Sequence, residues 1–101
     1  MVAEEFWTIH VWTARAGRET ELEDAWERMA RARLADLGGS ALSLFRVSDD
    51  ARVHYTPMRW ASRDAYDAWR SGPGRGAMDA VEAHCESVQV VPLDTARVVR
   101  R

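Results

Sequence analysis

The chain contains no lysine and no asparagine, and it has one cysteine and three prolines in 101 residues. A single cysteine, Cys85, excludes an internal disulfide and fits a reducing compartment. All positive charge is arginine, fourteen residues against sixteen acids, so the formal charge is −2. That balance predicts no general attraction to nucleic acid or to an anionic membrane. No apolar run reaches the ~18 residues of a membrane span. Residues 1–5 are acidic and lack the basic start and apolar core of a signal peptide, so a soluble cytoplasmic protein is expected. His10, His54 and His84 show no H-x-H or H-E-x-x-H spacing, which argues against a metal site. The glycine-rich run Gly72-Pro73-Gly74-Arg75-Gly76 follows a helix rather than a strand, so it reads as a helix break and not as a phosphate cradle.

What is present is one domain's worth of chain, residues 1–101, with 47% hydrophobic residues. Residues 6–13 (FWTIHVWT) are aromatic and β-branched and read as a strand. Both of its faces carry bulk: Phe6, Thr8, His10 and Trp12 on one, Trp7, Ile9 and Val11 on the other. Helices can cover one face, so a second subunit is expected on the other. Gly17 opens a helix to about Asp36, with Leu22, Ala25, Trp26, Met29, Ala30 and Leu37 on one stripe. Thr20 and Glu23 also have capping-box spacing, an alternative start. The charges along this helix, Glu23 and Arg33 among them, read as a solvated face. Gly38-Gly39 ends it.

Residues 41–48 and 52–60 read as two strands joined by a turn at Asp49-Asp50, with Pro57 marking a bulge or an edge. Ser62 caps a second helix with Ala65, Tyr66 and Trp69 inward. A further helical stretch carrying Met78 and Val81 runs to about His84, and residues 86–99 supply a last strand, broken near Pro92. The order is β-α-β-β-α-β, an α+β ferredoxin-like arrangement with a four-stranded antiparallel sheet.

Trp60, Ser62, Ala65, Tyr66, Trp69, Gly72 and Pro73 form a W-x-S-x-x-A-(aromatic)-x-x-W-x-x-G-P run. On this run the chain resembles the antibiotic biosynthesis monooxygenase family, and the strand order extends the likeness over nearly all of its length. The resemblance implies a homodimer, a dimeric α+β barrel in which two sheets pack face to face. One branch of that family oxidises phenolic or anthrone-like substrates with molecular oxygen and no cofactor. Another, the IsdG-like proteins, binds and degrades haem.

Two departures from the family pattern stand out. His10 falls where an asparagine is expected, and Met78 falls where the haem branch has its iron-ligating histidine. In the oxygenase reading, the resemblance implies a small aromatic substrate and molecular oxygen. His10 is then the catalytic base, Trp60 the wall beside the reacting carbon, and Phe6, Tyr66, Trp69 and Met78 the apolar lining. In the haem reading, Trp69 packs on the macrocycle and His84, or an unexpected ligand, holds the iron. A third reading is a non-catalytic dimeric protein that binds a small ligand.

Overall fold

The computed structural model describes residues 5–101; the acidic segment 1–4 lies outside them. Strand β1 (Phe6–Ala14) is central in a four-stranded sheet of order β2-β3-β1-β4. It pairs antiparallel with β3 (Asp50–Trp60) and with β4 (Cys85–Asp94), and short β2 (Phe45–Val47) closes the far edge. Its apolar bulk on both faces suits that central place. Burial alternates along β1: Phe6, Thr8, His10, Trp12 and Ala14 are buried and the residues between them only half-buried. One face therefore meets the helices. The ferredoxin-like order expected from sequence is the one observed.

Helix α1 (Glu19–Leu37) buries Leu22, Ala25, Trp26, Met29 and Ala30, as its periodicity predicts, but Leu37, expected on the same stripe, is the helix's last residue and lies exposed along a surface groove. The alternative start at Thr20 is not used. The helix begins earlier, its N-cap Arg18 makes no side-chain cap bond, and the Glu23 carboxylate is occupied elsewhere. Gly38 and Gly39 end it at φ +77° and +109°, conformations that side chains rarely adopt.

The strand expected over 41–48 shortens to Phe45–Val47, and the turn falls at Ser48-Asp49. Leu42 and Leu44 explain the loss, because they pack on the core from an unpaired segment. Pro57 lies opposite Ile9, beyond the last residue that β2 pairs, Tyr55. On that side β3 is an edge, so no ladder donor is lost.

Ser62 Oγ accepts the Ala65 amide at 3.0 Å and caps α2 (Arg63–Ser71). Gly74 then lies flat on Trp69, whose ring would stand 2.4 Å from any Cβ there. After it comes α3 (Arg75–Glu82). Strand β4 ends at Asp94, short of the expected Val99, and Pro92 is accommodated within it because β4 is an edge strand. Among the described residues, no helix is long and apolar enough to cross a membrane.

Candidate functional site

The site grows from the helix-facing side of the sheet. Antiparallel register sets Phe6 opposite Trp60, Thr8 opposite Met58, His10 opposite Thr56 and Trp12 opposite His54. Tyr66 comes down from α2 onto this row, with its ring 5.0 Å from Trp60, 6.0 Å from His10 and 6.4 Å from Phe6. Trp69, one helical turn on, lies 5.9 Å from Trp60. His10, Trp60, Phe6, Tyr66 and Trp69 thus form one aromatic cluster. Met78 is buried in the core of which Phe6, Trp60 and Trp69 are part. His84 is not brought to them. Its carbonyl accepts the Arg15 amide at the opposite end of β1, roughly 26 Å from Phe6 at about 3.3 Å per residue.

His10 is fully buried, and neither ring nitrogen has a hydrogen-bond partner among the described residues. Its ring stacks on Trp12 at 5.0 Å with 20° between planes. Burial, helped by the positive charge of Arg70, lowers its pKa to about 4, so the imidazole is neutral at pH 7. Burying a polar ring without partners is costly, and most such groups are satisfied by protein, water or ligand.

Two threonines beside His10 are also only half used. Thr56 Oγ accepts the indole N–H of both Trp12 and Trp26, each at 2.9 Å. Thr8 Oγ accepts the Trp60 indole at 2.9 Å. An indole nitrogen can only donate, so each hydroxyl is held as an acceptor and keeps its own proton to give. No acceptor for either proton occurs among the described residues, and both side chains are wholly buried. Sequence reading passed over these threonines. Their indole donors lie 30 to 52 positions away along the chain, and no local pattern announces such contacts.

Arg33 departs from the solvated face expected for it. It is 7% exposed, its guanidinium lies 4.5 Å over the Trp60 ring, and it donates to the carbonyls of Gly38 and Arg59. Glu23 departs too, holding His54 at 2.8 Å and Arg46 at 2.8 Å. Those two partners, His54 first, keep the Glu23 carboxyl below its ordinary range. Cys85 is buried and its thiol is pushed up to about 11, which leaves it unreactive.

A haem does not fit these residues. Met78 has no exposed surface, and Trp69 is covered by Gly74 and Trp60 with its N–H given to Asp36 at 2.9 Å. The only histidine of this part of the chain, His84, is at the other end of the sheet. Among the described residues, no group of three or more metal-ligating side chains occurs.

The family model for antibiotic biosynthesis monooxygenases matches residues 6–91. The chain belongs to that family. None of the curated proteins matches its sequence. Its fold is that of SnoaB, a cofactor-independent oxygenase from Streptomyces nogalater, seen in a mutant form. That similarity has a TM-score of 0.82 at 19% identity and covers 98% of this chain and 100% of that one. PA3566 from Pseudomonas aeruginosa is similar at TM-score 0.80 and 17% identity, over 96% and 99% of the two chains. Rv0793 from Mycobacterium tuberculosis is similar at 0.75 and 20%, over 95% and 97%. In this chain the site centres on the unpartnered His10, flanked by two half-used threonines.

Proposed function

We propose that the protein is a cofactor-independent monooxygenase for an electron-rich aromatic substrate, anthrone- or phenol-like, with His10 as its base. The observation that carries this reading is the buried, neutral and unpartnered imidazole 6.0 Å from Tyr66, whose ring links it to Trp60 and Phe6. A phenolic or enolic hydroxyl supplies what that face lacks. It gives its proton to His10, and its oxygen accepts from the hydroxyls of Thr8 and Thr56. A pKa near 4 makes His10 a weak base alone. The oxyanion formed beside it is the counter-charge that raises that pKa as the proton moves.

The deprotonated substrate then passes one electron to oxygen, and the substrate radical and superoxide combine at carbon. The imidazolium returns its proton to the peroxide. Loss of water, as that carbon gives up its one hydrogen as a proton, leaves a carbonyl, so that one oxygen atom enters the product and one leaves as water. The protein supplies the base, the orientation and a dry wall of aromatic rings. Access is nearest at β4, where Val90, the other cross-strand neighbour of His10, is exposed.

The active species in this reading is a cytoplasmic homodimer. The outer sheet face carries Trp7, Ile9 and Val11 beside Tyr55 (40% exposed), Phe45 (56%) and Leu93 (39%), and no helix among the described residues covers it. Covering such a face removes apolar area at ~25 cal/mol per Å². Light scattering at micromolar concentration should give twice the chain mass, and a folded monomer would refute the dimer. Oxygen uptake with anthrone and a set of naphthols tests the activity. The expected result is consumption of one oxygen per carbonyl formed, without added metal, flavin or haem. No uptake across the set would leave the ligand-binding reading in its place.

A further inference from the structure

A groove of about 730 Å³ lies between the 38–42 connection and the end of β3, apart from His10. Its walls include Leu37, Leu42 and Pro57, with Trp60 and two arginines, Arg33 and Arg59. The arginines are in opposite states. Arg59 is mostly exposed and is paired with Glu5 at 3.2 Å. Arg33 is buried, and among the described residues no carboxylate pairs with it. It meets only two backbone carbonyls, and its Nε–H has no acceptor.

A buried cation without a counter-ion is costly. Stacking on Trp60 offsets part of that cost. The stack also fixes the guanidinium, because Trp60 is itself held through its indole N–H by Thr8 at 2.9 Å. The result is a positive, pre-positioned guanidinium with an unused Nε–H in the wall of a groove whose other charged groups, Arg59 and Glu5, are paired with each other, an arrangement suited to a planar anion. The volume falls within the ~300–1,000 Å³ of small-molecule sites.

From this we infer that the groove is a subsite for an aromatic carboxylate, its ring against Leu37, Leu42 and Pro57 and its carboxylate on Arg33. The inference rests on the oxygenase reading for the aromatic character of the ligand, and on Arg33 for its charge. Pro57 and Trp7 line the groove and belong to the outer sheet face, so a partner subunit on that face would border its mouth.

The test uses 2-naphthoate and 2-naphthamide, equal in ring and different in charge, titrated calorimetrically into the purified protein at low salt. Naphthoate should bind at least about tenfold more tightly, the worth of one charge-assisted hydrogen bond. The preference should shrink as salt rises, vanish in Arg33→Met and persist in Arg59→Gln. Should Arg33→Met fail to fold, the Arg33 Nε–H resonance of the wild-type protein decides. It should shift with naphthoate and stay in place with naphthamide. Equal binding of the two probes, a preference that survives Arg33→Met, or an unmoved Nε–H resonance would overturn the inference. Naphthoate binding of this kind without oxygen uptake on any phenol removes the oxygenase reading and keeps the subsite. Uptake with no acid preference does the reverse.

Discussion

His10 and His54 lie on the same buried face, diagonal neighbours across β1 and β3, and the fold treats them in opposite ways. His54 donates a ring N–H to the Glu23 carboxylate at 2.8 Å, and its other nitrogen lies 3.4 Å from the Arg52 carbonyl. His10 has no partner at either nitrogen. The first is a satisfied core histidine that ties α1 to the sheet. The second carries the desolvation cost of burial with no compensating bond, a cost that functional sites tolerate and structural positions rarely do. Burial alone therefore does not separate a structural histidine from a reactive one; the inventory of partners does.

Substitution should widen that contrast. The largest effect expected is on turnover: His10→Ala should lower kcat/KM on an oxidised phenol by ~10²–10⁴-fold while the protein stays folded. His54→Ala should leave turnover of the folded fraction within a few-fold. Wild-type turnover by His10→Ala would remove the base assignment.

Stability should move the other way. His54→Leu removes a buried hydrogen bond to the Glu23 carboxylate, which keeps Arg46, and should cost about 1–3 kcal/mol in urea unfolding. His10→Leu removes an unpartnered polar ring from an apolar setting and should be neutral or stabilising by up to ~1 kcal/mol. If both leucine variants lose stability equally, the two histidines do the same work and the contrast fails. Thr56→Val should cost about 1–3 kcal/mol by orphaning two buried indole N–H groups, with Thr56→Ser restoring most of it.

A smaller effect is the pH dependence of stability. His10 titrates near 4 folded and near 6.5 unfolded. Between those values the unfolded chain binds the extra proton, so stability is full above about 6.5 and declines as the pH falls toward 4. His10→Leu should flatten the upper part of that decline in urea midpoints measured from pH 7 to 4.5. An unchanged slope would show that His10 is not the group responsible.

Much of the fold was legible because local pattern and tertiary structure agree. The residues of β1, the stripe of α1, the Ser62 cap and the Gly72–Gly74 break each announce themselves within a few positions. The aromatic part of the site was legible through the Trp60 to Pro73 run. What was hidden depends on contacts between distant segments. The length of β2 is set by Leu42 and Leu44 turning to the core. Glu23 leaves its capping role for His54, Arg33 turns from solvent onto Trp60, and Thr56 collects two indoles from β1 and α1. Charge and hydroxyl groups are placed by what the rest of the chain brings to them, and spacing does not record that.

The most direct test of the account is a proton NMR titration of the three histidine rings, without and with a phenolic ligand such as 1-naphthol. His10 should titrate near pH 4 in the free protein, as its lack of partners and its burial require. On adding ligand, the His10 resonances should shift and its pKa should rise, while those of His54 stay in place. A His10 ring that titrates near 6.5 when free, or that is indifferent to every phenol the protein binds, would contradict the assignment of this face as the reactive one.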